Sequence, residues 1–175
     1  MTDAFIIEAL AASHVRTEFT CGVDALDRYF WRQAGQDVRR RVTSCFVARE
    51  RRTGELAGYY TLSAGGVFLA DMPASLVKRL PRYPSVPVAR LGRLAVGLAY
   101  RGRKLGAALL WDALDRAARS EVAVYALVVD AKDEPARNFY LHHGALNLTR
   151  SFAKLGGCNL AVPSMRGGGR GASTR

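Results

Sequence analysis

An apolar run, a basic turn punctuated by glycine, a helical segment and a second apolar run follow one another between Val88 and Val129, and this order constrains the fold more than any other feature. Val88–Val96 reads as a central strand. Leu105, Leu109, Ala113 and Ala117 recur on one stripe of the segment Leu105 to Arg119, with Leu110 and Leu114 beside it, which is the periodicity of an amphipathic helix. Val122–Val129 has almost no polar interruption, as expected of a strand covered on both faces. Asp133 to His142 then reads as a short helix whose opening carboxylates suit the positive end of its dipole. Strand, helix, strand, helix is the order of an α/β chain.

Upstream, Phe5–Leu10 is a short apolar segment, and Leu26, Phe30 and Ala34, four apart with Tyr29 beside them, place a first helix over Val23–Arg39. Val42–Arg49 and Leu56–Leu69 are rich in β-branched and aromatic residues, and Arg51-Arg52-Thr53-Gly54 between them has the character of a hairpin turn. Ala74–Leu80 reads as a short helical piece, after which Pro81, Pro84 and Pro87 interrupt regular structure. Leu146–Val162 is expected to add one or two strands, and Arg166–Arg175, glycine-rich and basic, has the composition of a disordered tail. The 175 residues therefore divide into one domain over 1–165 and a tail over 166–175. No internal repeat is evident.

The formal charge of +11 favours an acidic partner such as nucleic acid, a polyphosphate cofactor or an acidic protein, without naming one. Met1–Leu10 carries Asp3 and Glu8 and no cationic leader, and no apolar run reaches the roughly 18 residues of a membrane span, so a soluble, cytoplasmic protein with no membrane partner is expected. Cys21, Cys45 and Cys158 are odd in number and widely spaced, which fits reduced thiols with packing roles. His142 and His143 point about 100° apart on a helix and have no neighbouring ligand set, so no metal is expected.

The turn Arg101-Gly102-Arg103-Lys104-Leu105-Gly106-Ala107 lies where a strand passes into a helix. Free N–H groups at a helix start point at an anion, the macrodipole adds about half a positive charge, and glycine admits oxygen atoms to the main chain. Three cationic side chains reinforce this. The spacing matches neither a P-loop nor a dinucleotide-binding fingerprint, so by itself the turn is either a generic anion site or a basic helix cap.

With Ala136, Phe139 and Tyr140 further along, Arg101 and Gly106 resemble the GNAT superfamily of N-acetyltransferases, whose pyrophosphate turn follows Arg/Gln-x-x-Gly-x-Gly/Ala. Lys104 departs from that pattern, standing where the family usually has glycine. Cys21-Gly22, Gly58–Ala64, Leu80–Pro84, Leu91–Val96 and Leu127–Asp133 are similar to blocks of the GNAT toxins of bacterial type II toxin-antitoxin pairs, over roughly Phe19 to Pro163. The resemblance implies a central mixed, mostly antiparallel sheet flanked by helices. It further implies acetyl-CoA as co-substrate, aminoacyl-tRNA as acceptor, a ribbon-helix-helix antitoxin as partner and a homodimer. Leu94, Ala95, Val96, the turn Arg101–Ala107, Asp133 and Phe139 would hold acetyl-CoA, with a backbone N–H near Leu94 and Val96 facing the thioester oxygen.

Tyr140 matches the general acid of the family, and a phenol of pKa near 10 can protonate a departing thiolate. Pro87 to Val96 holds no Asp or Glu to act as base. An aminoacyl ester needs little help, because an α-amine of pKa about 7.7 to 8.0 is appreciably neutral at pH 7; Asp130 and Glu134 are the carboxylates that a water relay would draw on. Arg39, Arg40, Arg82, Arg90 and Arg93 are candidate contacts to RNA, Arg93 singled out as a cation within an apolar strand. Two other readings stay open: a GNAT enzyme for a small amine or a protein N-terminus, and a basic nucleic-acid- or antitoxin-binding protein without catalysis.

Overall fold

The computed structural model describes residues 4–147 and 158–163. A seven-stranded sheet organises them in the order β1-β2-β3-β4-β5-β7-β6, where β1 is Phe5–Ala9, β2 Ser44–Glu50, β3 Leu56–Phe68, β4 Ser85–Val96, β5 Ala126–Ala131, β6 Leu146–Asn147 and β7 Cys158–Pro163. Neighbouring strands run antiparallel except β4 and β5. The exception follows from α4 (Leu105–Arg119): a helix between two strands carries the chain back along the sheet, so the second strand starts in the same direction as the first. The mixed, mostly antiparallel sheet with flanking helices is the architecture expected from the sequence.

Helices cover the two faces unequally. On one face the α4 stripe of Leu105, Leu109, Leu110, Ala113 and Ala117 packs with Tyr60, Leu91, Leu127 and Val129, joined by Tyr140 of α5 (Glu134–His142). On the other, α1 (Asp24–Arg32) and α2 (Ala34–Arg39) bury Tyr29, Phe30 and Ala34 against Val47, Tyr59 and Ala95. Further along that face, the residues around α3 (Ala74–Val77) cover Val86, Val88 and Val128. The middle of this second face lies between those two clusters.

Three boundaries depart from the sequence reading. The first helix breaks at Gln33, because Arg16 Nη1 donates to the Phe30 carbonyl at 3.0 Å and so occupies the acceptor that Ala34 would use in a continuous helix. Gly35 makes room for that arginine, since a Cβ there would lie 3.1 Å from Arg16 Nη1. β4 begins at Ser85 and so contains Pro87, which precedes the first β4–β5 pair, Val88 with Ala126, and interrupts no ladder bond there. β5 starts only at Ala126; Val122 is 75% exposed in the connection before it. The proposed tail over 166–175 lies outside the described residues.

One irregularity positions the site. Thr61 pairs with Arg93 but Leu62 pairs with Leu91, so Gly92 is an extra residue bulged out of β4. A Cβ at Gly92 would stand 3.1 Å from Thr61 Oγ1, tighter than an ordinary contact.

Candidate active site

β4 and β5 pair from Val88–Ala126 to Leu91–Val129 and then part, although β4 stays bound to β3 as far as Val96. The parting falls at the Gly92 bulge. Beyond it, the main-chain groups on the β5 side of Leu94, Ala95 and Val96 have no strand partner among the described residues. Buried main-chain polar groups require partners, so a slot edged by free N–H and C=O groups is suited to an extended amide-bearing ligand.

At the head of this slot β4 turns through Leu98–Tyr100 into the basic turn and α4. Gly102 (φ +75°) and Lys104 (φ +59°, ψ 15°) both take the left-handed conformation. Lys104 is the N-cap of α4 and gives no side-chain cap, so the N–H groups of Leu105, Gly106 and Ala107 have no intrahelical partner. A Cβ on Gly106 would lie 3.7 Å from the Phe139 ring and from Val96 Cγ2. The end of β4, the start of α4 and the Phe139 side chain of α5 thus converge on one spot.

The three cations of the turn have separate tasks. Arg101 Nη2 donates to the Cys21 carbonyl at 2.5 Å and ties the turn to the loop before α1. Arg103 folds back to Glu50, 3.7 Å away, with its guanidinium 5.0 Å from the Phe5 ring centre. Lys104, exposed, is the one of the three whose ammonium has no partner among the described residues. Asp133, read from the resemblance as a cofactor contact, accepts the Ala136 N–H at 2.9 Å as the cap of α5.

Tyr140 is buried on α5. Burial, and then the negative charge of Asp130, push its phenol up to about 12, so it holds its proton at every physiological pH and is available as a donor. Asp130 lies one residue beyond the last β4–β5 pair and accepts from Arg90 Nη1 at 2.6 Å, spanning the two strands at the point where they separate. Glu134 bonds Arg137 at 3.1 Å on the exposed side of α5.

Arg93 faces the α1 side. Its guanidinium carbon lies 3.5 Å from the centre of the Tyr29 ring, and the Tyr29 hydroxyl donates to Asp37 Oδ2 at 3.1 Å. The structure therefore brings Arg90 and Arg93 to the parting of the strands. Arg39 and Arg40 are exposed at the end of α2, and Arg82 is exposed between α3 and β4, on the connections bordering the same face. Gly92, Tyr29 and Asp37 escaped the sequence reading. Tyr29 looked like a core residue, which it also is, and the only signal of a partner was an arginine inside an apolar strand.

Among the described residues no helix is long and apolar enough to cross a membrane, and no three His, Cys, Asp or Glu side chains gather as a metal site. Over 128 residues the chain is 37% identical to the tRNA-acetylating toxin of Mycobacterium tuberculosis, spanning 72% of this chain and 75% of that protein. The structure of AtaT complexed with acetyl-methionyl-tRNAfMet superposes with a TM-score of 0.82 at 26% identity, covering 91% of this chain and 95% of that one. AtaTR bound with AcCoA superposes at 0.77 with 25% identity, covering 93% and 95%. The sequence profile of the Acetyltransferase (GNAT) family matches residues 6–145, the span that holds the bulged β4, the turn and Tyr140, and the chain belongs to that family.

Proposed function

We propose that this acetyltransferase is a toxin that moves the acetyl group of acetyl-CoA to the α-amine of aminoacyl-tRNA, which blocks that amino acid from entering peptide synthesis. The observation that carries the reading is the pairing of one slot with two differently furnished sides. On the α4 side stand the uncapped N–H groups of Leu105, Gly106 and Ala107 with the exposed Lys104 ammonium, a fit for a pyrophosphate. On the α1 side stand Arg90 and Arg93, a fit for a polyanionic acceptor. Relatives that acetylate tRNA or bind it support the choice of acceptor.

Acetyl-CoA supplies the activated acetyl thioester. The main chain of Leu94–Val96 aligns the pantetheine arm and offers an N–H to the oxygen that gains charge as the amine attacks. Tyr140, protonated, gives its proton to the departing thiolate. An α-amine beside an ester needs no strong base, and Asp130, held by Arg90, is positioned to relay the amine proton through water.

The partners that go with this reading are a ribbon-helix-helix antitoxin and a second copy of the chain, in the cytoplasm, with one domain over residues 1–165. Incubation with labelled acetyl-CoA and a pool of charged tRNAs, followed by mass spectrometry of the released amino acids, tests it. Acetylated amino acids are expected. Acetylation of polyamines or peptides with every charged tRNA left untouched would assign the site to another amine.

A further inference from the structure

We infer that Asp27 and Thr20 set the affinity for acetyl-CoA, by holding the Cys21–Gly22 peptide against Arg101 and so keeping the basic turn in the shape that receives the pyrophosphate. The inference rests on the pyrophosphate seat proposed above and adds the residues that hold that seat from behind.

Cys21-Gly22 lies far from the turn in sequence, and the fold places its peptide group between two opposite charges. At one end the Cys21 carbonyl accepts from Arg101 Nη2. At the other the Gly22 N–H donates to Thr20 Oγ1 at 3.2 Å, and that hydroxyl donates on to Asp27 Oδ2 at 2.7 Å. Guanidinium, peptide, hydroxyl and carboxylate form one chain in which every donor points from Arg101 toward Asp27, and hydrogen bonds aligned in this way polarise and strengthen one another. Asp27 Oδ1 also accepts the Cys21 N–H at 2.8 Å, which fixes the preceding peptide.

Asp27 is buried in the first turn of α1. Burial opposes its charge, but the donations from Cys21, Thr20 and Gly22 outweigh this and hold its carboxyl below the usual range. Gly22 takes φ +78°, and a Cβ there would lie 3.1 Å from Leu98 Cδ2 and 3.6 Å from Arg101 Nη2, so the loop fits against the turn only without a side chain. The Leu98 N–H donates to the Thr20 carbonyl at 3.0 Å, a second stitch between this loop and the segment that enters the turn.

The turn needs such a hold. Gly102 and Lys104, which follow Arg101 closely, both take the left-handed conformation, and Lys104 does so against the preference of its side chain. Strained main chain persists only where its surroundings impose it. Anchoring Arg101 at the foot of the turn gathers the N–H groups of Leu105, Gly106 and Ala107 before the cofactor arrives, which reduces the ordering that binding demands. Asp27 and Thr20 act through Arg101 and are positioning residues.

Thr20 is exposed, so it is the link that can be cut with least disturbance. Kd for acetyl-CoA is measured by calorimetry for wild type, Thr20→Val, Thr20→Ser, Asp27→Asn, Arg101→Ala and the double variant Thr20→Val/Arg101→Ala, together with kcat and KM on the acceptor that the wild type uses. Thr20→Val should bind acetyl-CoA ~3- to 10-fold more weakly, the effect of one internal hydrogen bond. Thr20→Ser keeps the hydroxyl and should lie within about twofold of wild type. Asp27→Asn should lose at least as much as Thr20→Val; if it does not fold, the Thr20 variants decide alone. In Thr20→Val, kcat at saturating acetyl-CoA and KM for the acceptor should stay within about twofold of wild type, a split that a general loosening of the fold would not produce. Because Thr20 acts through Arg101, the double variant should bind no more weakly than Arg101→Ala. An unchanged Kd in Thr20→Val, losses that multiply in the double variant, or a matching rise in the KM for the acceptor overturns the inference. Gly106→Asp separates it from the reading it rests on: unchanged affinity in that variant overturns the pyrophosphate seat as well, whereas a weakened Gly106→Asp beside an unaffected Thr20→Val overturns the inference alone.

Discussion

Replacing Lys104 by glycine should move stability and cofactor affinity in opposite directions. Lys104 sits at φ +59°, ψ 15°, in the left-handed region, where a side chain costs about 1–2 kcal/mol. Glycine removes that strain but leaves the unfolded chain freer by about 0.5–1 kcal/mol, so the net gain is about 0.5–1 kcal/mol, or roughly 1–4 °C in Tm for a chain of this size. Affinity goes the other way. Arg101 is engaged by the Cys21 carbonyl and Arg103 by Glu50, which leaves the exposed Lys104 ammonium as the charge of the turn without a partner among the described residues. An exposed charge-assisted contact to phosphate contributes on the order of 1 kcal/mol, so Lys104→Gly should bind acetyl-CoA about fivefold more weakly, with the difference shrinking as salt rises. Lys104→Ala keeps the strain and loses the charge, and should show the weaker binding without the higher Tm. Isothermal calorimetry and thermal unfolding of the three proteins are the assay. Unchanged affinity in both variants would refute the assignment of Lys104 to phosphate, and no gain in Tm for the glycine variant would refute the strain argument.

Tyr140→Phe should fold, bind acetyl-CoA normally and lower kcat by about 10²- to 10⁴-fold, relieving growth arrest on expression; undiminished toxicity would remove the phenol from the mechanism. Gly106→Asp should weaken acetyl-CoA about tenfold or more by setting a carboxylate against phosphate, whereas Gly106→Ala should be tolerated, because its Cβ meets the Phe139 ring at an ordinary 3.7 Å; calorimetry on both separates charge from bulk. Alkali should destabilise the fold. Burial raises Tyr29, Cys45 and Tyr140 to about 12 and lifts Tyr59 and Tyr60 as well, so above pH 9 to 10 the unfolded chain sheds protons that the native state keeps. Each such group lowers stability by about 1.4 kcal/mol per pH unit in that window and has no effect below it, and a urea midpoint that stays flat from pH 8 to 11 would contradict this.

Much of this was legible because it follows from local pattern. The α4 stripe, the basic turn and the Phe139-Tyr140 end of α5 are read from residues close in sequence, and helix periodicity with capping chemistry is enough to place them. What stayed hidden depends on partners distant in the chain. Arg101 reads as a phosphate contact from the basic turn and the family motif, while its bond to the carbonyl of Cys21, eighty residues earlier, has no local signal. The break at Gln33 has the same origin, in a guanidinium supplied by Arg16. Arg90 and Asp130 are both charged residues in apolar runs, and only the parallel pairing of β4 with β5 makes them neighbours.

The Gly92 bulge links the two halves of the proposed site. In a regular strand Leu91, Arg93 and Ala95 would share one face, since side chains alternate. In β4 they do not: Leu91 packs with the α4 cluster together with Leu94 and Val96, while Ala95 packs on the α1 side and Arg93 lies over Tyr29. One inserted residue therefore lets the strand keep an apolar face toward α4 along its whole length and still place a cation on the acceptor side. It also falls where β4 and β5 stop pairing, at the slot proposed for acetyl-CoA, and a bulge bends the strand that carries it. Deleting Gly92 should damage both functions at once, because restoring regular alternation either drives Arg93 into the α4 core or turns Leu91 out of it. An unpaired cation in that core costs several kcal/mol, a large part of a typical domain's stability. The deletion should thus lower Tm sharply and abolish acetyl-CoA binding, and a deletion variant that unfolds like wild type and binds acetyl-CoA would show that the bulge is not what opens the sheet.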